Sequence, residues 1–451
     1  MNTFYSVLRV IPTPQNELID QVEGGLASCW VCDDDQVSAS ILVAFKLRQL
    51  NWAVVGIEEV PVIVTQNDYR ENEMHLDRFR SAQIRGMSIE FTAWGKNGKT
   101  FRGPIEPKKA NHFDLGDYLS QIAELKRAGR CLHFEAGNRC SEPIEAHSIQ
   151  KSGVLSLIAR SGHVYSPSRN FSDTKRRRGG VVFTEQGINK VSTFRGFCGK
   201  HDKQIFAPID DSLLAPTSEQ ITLFAYRCLC REVFVKENAV TLFQELMKRP
   251  SRNEANRAIL SSALQGSALA LKNLLRHKTN YELLLKSKSF ATMKSVLFHS
   301  CQKPSVVFSG LLFPDYDFLG TLLQDLTNQS LERNLITFSF APMSDGWAFL
   351  LAWHEDSSKT CVPLVRSLAT QVSDGGNLGD FLFRFVVASC ENLAMSPTWW
   401  ETRSETQRAE IEQLAAYGIK ISSPLRSNYL TQGVAGCSEW EFDRVVDDFQ
   451  Y

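Results

Sequence analysis

The chain of 451 residues lacks a dominant charge, with Lys+Arg and Asp+Glu at 50 each. Its overall composition therefore gives no reason to expect attraction to nucleic acid or to an anionic surface. It also lacks any apolar run near the roughly 20 residues of a membrane-spanning helix. Dense stretches such as Trp347–Trp353 stop far short of that. The phosphate loop G-x-x-x-x-G-K-[ST] and the dinucleotide fingerprint G-x-G-x-x-G are both missing, so ATP or dinucleotide use has no support. The G-x-S-x-G elbow and H-E-x-x-H are missing too, and no internal repeat is found. The opening residues MNTFYSVLRV lack a charged segment followed by an apolar core, so a cytosolic protein without a secretory signal is expected.

What is present is ordinary globular usage, with 43% hydrophobic and 22% charged residues. That excludes disorder, collagen and low complexity. At about 100–200 residues per domain the length suggests two to four domains. Eleven cysteines in such a chain are expected as core residues or metal ligands rather than disulfides.

The patterning suggests an α+β, multi-domain protein. Residues 1–100 read as a ferredoxin-like α/β module in two layers. Its strands are expected over 4–11, 28–32, 52–64 and 88–94, and its helices over 36–50 and 70–86. Asp33–Asp35 are placed to cap the first helix, with Val37, Ile41, Leu42, Phe45 and Leu50 on its apolar face. Residues 100–118 read as a linker, followed by a short helix to 129. Residues 115–212 form a basic segment, 213–300 a helical section, and 305–451 a C-terminal α+β module. In the last, strands are expected over 305–313, 334–342 and 346–354. Helices are expected over 377–393 and 396–418, the second with Ser404 as N-cap.

The chemistry concentrates in 131–203. Cys198-Gly-Lys-His201 is a short pair with a glycine that permits a tight turn. Cys131 and Cys140, separated by eight residues, form a looser pair. Zinc takes four N/S ligands in a tetrahedron, commonly from two such pairs, so a Cys₃His site is expected, with His133 as the alternative fourth ligand. From Lys126 to Lys203 there are fifteen basic and six acidic residues, an excess of nine positive charges in a neutral chain. Lys175, Arg176, Arg177 and Arg178 form its densest run. A basic field on a zinc-knotted segment suits phosphate backbones. His147, in the strand-like run Ile144–Ile149, is the candidate general base, and Asp202 the candidate ligand for a divalent ion. His163 and Asn170 are further candidates.

Cys…Cys, then a strand histidine, a loop and C-x-x-H-D resembles the HNH-type ββα-metal nucleases built around a structural zinc. The resemblance covers about 75 residues, a sixth of the chain. It implies a treble-clef zinc module in which Cys131, Cys140, Cys198 and His201 hold structural Zn²⁺. It also implies His147 as general base and Asp202 at the position of a Mg²⁺ or Mn²⁺ ligand. Ala146 stands where that family usually has Asp, Glu or His. The orienting Asn before the second knuckle is absent, and the insertion between His147 and Cys198 is long. AHSIQK and FRGFCGKHD also resemble phrases of an uncharacterised bacterial protein family.

The function expected from the resemblance is metal-dependent endonuclease action on nucleic acid, in the setting of defence against foreign DNA. The rival is a non-catalytic, zinc-stabilised nucleic-acid- or protein-binding protein. A protein partner or a second copy of the chain is left open, and no membrane is expected. Cys29-Trp-Val-Cys32 has redox spacing, but three aspartates follow it, so both thiols are expected in the core. Cys228, Cys230, Trp347, Trp353 and the pair Trp399–Trp400 are also read as core.

Overall fold

The computed structural model describes residues 2–13, 16–33, 36–96, 100–104, 129–136, 140–168, 181–248, 254–326, 328, 330–416 and 427–448. The basic run Lys175–Arg178, Asn170, the helix expected before residue 129 and the capping residues Asp34 and Asp35 lie outside them. The chain is mixed α+β. It divides into two units, one holding the described residues up to 104 with 254–259, the other holding 129–248, 260–416 and 427–448. The segments read separately as 115–212, 213–300 and 305–451 thus fall largely in one unit.

The first unit contains β1 (Asn2–Pro12), β2 (Val22–Asp33), α1 (Gln36–Gln49), β3 (Trp52–Val64), α2 (Glu73–Arg85), β4 (Met87–Gly95) and β5 (Thr100–Pro104). Its antiparallel sheet runs β3-β1-β2-β4-β5 and opens with a hairpin, where the ferredoxin-like pattern begins with a strand and a helix. β5 replaces the start of the expected linker. Residues alternate across β2: Ala27, Cys29 and Val31 join the core with α1, whereas Trp30 joins that of α2. At β2 the sheet is therefore covered on both faces, three layers where two were expected, because a strand buried on both sides has no polar alternation to read, whereas β3 is largely exposed. On α1 the described buried side chains include Ala39, Val43 and Leu47, and Leu42 and Leu50 of the expected face pack against the same core; the side chains of Val37, Ile41 and Phe45 lie outside the described ones. Cys29 and Cys32 point to opposite faces, and burial pushes the Cys29 thiol up, so the core assignment of this pair stands. α2 starts on the Asn72 cap and stops at Gly86, which takes a left-handed φ of 84°.

The second unit begins with β6 (Pro143–His147), β7 (His163–Pro167), β8 (Phe183–Gly187), β9 (Thr193–Cys198), α3 (Gly199–Asp210), α4 (Ser218–Lys248) and α5 (Glu254–Ser287, from residue 260 on). It continues with β10 (Met293–Ser300), β11 (Val306–Leu312), β12 (Ile336–Met343), β13 (Gly346–His354), α6 (Ser358–Ser373) and α7 (Leu378–Ser389). β14 (Leu393–Met395), α8 (Pro397–Thr402), α9 (Glu405–Ala415) and β15 (Arg444–Asp447) complete it. An antiparallel sheet of eight strands runs β15-β10-β13-β12-β11-β14-β7-β8, while β6 and β9 form a separate pair. The long insertion between His147 and Cys198 thus supplies β7 and β8 to the edge of the large sheet. β10 occupies residues expected to be helical.

Both faces of this sheet's central strands are buried. On β13, Trp347, Phe349, Leu351 and Trp353 share a core with Phe383 of α7 and Trp399 and Trp400 of α8. Ala348, Leu350 and Ala352 turn to the other core, with Tyr226, Leu229 and Val233 of α4. Trp399 and Trp400 are buried, as the core reading expects. The helix expected over 396–418 is two helices, and α9 starts at Ser404. The Ser404 hydroxyl accepts from the Gln407 N–H, and the Gln407 side chain accepts from the Ser404 N–H. No described helix is long and apolar enough to cross a membrane.

Candidate metal centre

Two chain segments meet at the expected zinc ligands. Residues 130–132 lie along β9, with the N–H groups of Arg130 and Leu132 donating to the Arg195 and Gly196 carbonyls at 3.0 and 2.8 Å. This close approach needs Gly129, since a Cβ there would fall 2.5 Å from the Arg195 carbonyl oxygen. On its other side β9 pairs with β6, Pro143 opposite Cys198 and His147 opposite Thr193. β9 ends at Cys198, which is also the residue before α3, and His201 lies in the first turn of that helix.

The Sγ atoms of Cys131, Cys140 and Cys198 each lie 3.4 Å from Nδ1 of His201. All four ligand atoms fall within 4.8 Å of one another. One ring nitrogen has a single proton or a single lone pair, so it cannot hydrogen-bond three thiols at once. Tetrahedral zinc, with Zn–S about 2.3 Å and Zn–N about 2.0 Å, puts sulfur and nitrogen about 3.5 Å apart. The donor set and its spacing therefore fit a metal ion of the zinc type. The thiols are also unlike one another. Burial raises the Cys198 thiol, but the His201 and Ser141 N–H groups and the Ser141 hydroxyl outweigh it, and Cys198 is pushed down to about 6. Burial holds Cys131 up at about 11, and the Cys198 charge adds to that. Held together as thiolates, the three sulfurs would need a compensating cation.

His133 is not the fourth ligand of this set. Its ring stacks on His201 at 4.2 Å and 5° between planes, and its Nδ1 accepts from the Glu135 N–H at 3.0 Å. Burial, then His201, push it down to about 4, so it is neutral. With Glu135 and His201 it makes a second, overlapping group of metal-capable side chains.

His147 ends β6, half-buried. Its Nε2–H donates to the Ile188 carbonyl at 3.1 Å, which leaves the Nδ1 lone pair as the basic position. Burial lowers its pKa, and Lys151 and Arg227 reinforce this against the Ile188 bond. Asp202 lies in the first turn of α3, where burial raises its pKa against the attraction of Arg227. Arg227 itself, its side chain 4% exposed, holds Asp210 at the end of α3 by two bonds of 2.8 and 2.6 Å. Among the described residues, no group of three or more metal-capable side chains includes His147 or Asp202. His163 is exposed on β7, with its Nδ1–H donating to the Ser161 carbonyl at 2.9 Å.

Some contributors carry no sequence signal of their own. Ser141 and Arg227 lie outside every motif, and the Ile188 carbonyl is backbone. Gln150, inside AHSIQK, had a signal: its amide donates to the Ile209 and Asp210 carbonyls at 2.7 and 2.9 Å and so closes the end of α3. No family model, curated protein or solved structure matches this chain.

Proposed function

We propose that this chain is an HNH-like, metal-dependent endonuclease acting on nucleic acid, its reactive β6–β9 strand pair held by structural zinc in a treble-clef arrangement. The observation that carries this reading is His147. It is a neutral histidine at the end of β6, with Nε2–H tied to a carbonyl and Nδ1 left as a base. Two further features support it. A ligand loop and β6 are followed, after the insertion that carries β7 and β8, by β9 and a helix N-terminus, an order compatible with that module, and Cys131, Cys140, Cys198 and His201 fit zinc. Asp202, a hard oxygen donor, would hold Mg²⁺ or Mn²⁺ together with substrate phosphate oxygens. Such ions use only one or two protein carboxylates, so a preformed three-ligand group is not required. When bound, the ion supplies Lewis acidity at the scissile phosphate. The chain's own step is proton transfer: Nδ1 of His147 accepts the proton of the attacking water, and the Ile188 carbonyl steadies the imidazolium that results.

A second reading, a zinc-stabilised binding protein, draws on Ala146 before the histidine and on the fact that, among the described residues, no group of three or more metal-capable side chains includes His147. Cleavage of plasmid DNA and of RNA by purified protein with Mg²⁺ or Mn²⁺ separates the two. The nuclease reading expects nicking that His147→Ala abolishes while zinc content stays at one per chain. Full zinc with no cleavage of either nucleic acid overturns it in favour of binding.

A further inference from the structure

The turn that carries the Ile188 carbonyl is pinned from an unexpected direction. Ser192, buried in the loop between β8 and β9, has a left-handed φ of 61°, uncommon for a residue with a side chain. Its hydroxyl accepts from the Ile149 N–H at 2.9 Å and stands 2.7 Å from the Ser148 hydroxyl. Its carbonyl accepts from the Ser148 N–H at 2.9 Å. Ser148 in turn accepts at 2.8 Å from the amide of Asn392, which lies just before β14 and is 4% exposed. The second amide proton of Asn392 goes to the Ser309 carbonyl on β11 at 2.9 Å. Both amide donors of Asn392 are thus spent between the large sheet and the residue that follows His147.

We propose that Asn392, Ser148 and Ser192 form a positioning relay that fixes the turn presenting the Ile188 carbonyl, and through it the tautomer and orientation of the His147 ring. This deepens the nuclease reading and rests on it for its catalytic meaning, but its geometry does not depend on cleavage. Every link is buried, and the strained backbone at Ser192 persists because hydroxyl and carbonyl are both held. The relay makes the β11–β14 region of the sheet part of the machinery that orients the histidine. A residue that merely filled space there would leave the ring's tautomer alone.

The test is ¹⁵N-histidine NMR of the full chain at about pH 7.5, where a neutral imidazole reports its tautomer, with the His147 signal assigned through His147→Gln. The wild-type ring is expected in the Nε2–H form. Asn392→Ala and Ser148→Ala are expected to raise the Nδ1–H share about threefold or more as the carbonyl loosens. Ser148→Thr, which keeps the hydroxyl, restores the wild-type spectrum, and zinc stays at one per chain throughout. If Asn392→Ala does not fold, Ser192→Gly serves, since glycine accepts the backbone angle and removes the hydroxyl with its one carbon. An unchanged tautomer in Ser148→Ala and Ser192→Gly overturns the relay. Cleavage assayed on the same samples tells the two proposals apart. Loss of about a hundredfold in turnover with the tautomer shift supports both. A tautomer shift in a protein that never cleaves leaves the relay standing and removes the nuclease.

Discussion

Around the His201 Nδ1 atom, three sulfurs at one distance fit the ligand set of a metal ion better than a hydrogen-bond pattern. Because metal binding to such a set is also folding energy, Cys198→Ala is expected to lose zinc and the fold of the second unit together, read by elemental analysis and circular dichroism. Normal zinc in that variant would sink the ligand assignment. A second residue-scale prediction concerns His277, fully buried on α5, whose Nε2 meets the Arg333 carbonyl at 2.8 Å. Burial, helped by Arg276 and opposed by the Arg333 bond, pushes it down to about 4. As pH falls below about 6.5, the unfolded chain gains a proton there that the folded chain refuses until about 4, so stability drops across that window. His277→Gln should flatten the fall of the urea midpoint between pH 7 and 5; an identical slope would place the proton uptake elsewhere.

At the scale of elements, α3 is held at both ends. The candidate zinc ligands Cys198 and His201 lie at its start, and Gln150 with the Arg227–Asp210 pair fixes its end. Arg227 also lies over the Phe206 ring at 4.2 Å, so it is buried with a single carboxylate partner. Asp210→Asn would leave that guanidinium short of charge. Because Asp210 is a third exposed, the cost should fall below the full penalty of a buried pair, at about 2–3 kcal/mol. The urea midpoint should move with the m-value unchanged. At α9, Ser404→Ala removes a capping box and should cost about 1 kcal/mol. The Ser404 cap was legible in the sequence because a cap acts within four residues. β10 was not: Met293–Ser300 is buried on nearly every residue, and a strand covered on both faces shows neither the alternation of a half-buried strand nor a helical period.

For the molecule as a whole, the first unit builds its two cores, among the described residues, from residues 4–93 and contains none of the candidate zinc ligands. Residues 2–104 produced as a fragment are expected to unfold in one cooperative urea transition that a zinc chelator leaves in place. A fragment that is unfolded, or that responds to the chelator, would show that its stability comes from elsewhere in the chain.

Some of this follows from the sequence alone. Zinc ligands must be Cys, His or a carboxylate, and Cys131, Cys140, Cys198 and His201 were readable because few such residues crowd one short stretch. The strand of residues 52–64, the α2 helix and its Gly86 stop were readable because periodicity and caps act locally. The tertiary structure decided the rest. It placed the long insertion after His147 on the edge of the large sheet, because β7 pairs with β14 some 230 residues away and no local signal encodes a partner so distant. It chose His201 over His133 by aiming one ring nitrogen at three sulfurs. It also gave His147 a fixed tautomer through the Ile188 carbonyl, and every residue type supplies a backbone carbonyl, so no choice of side chain at 188 announces it.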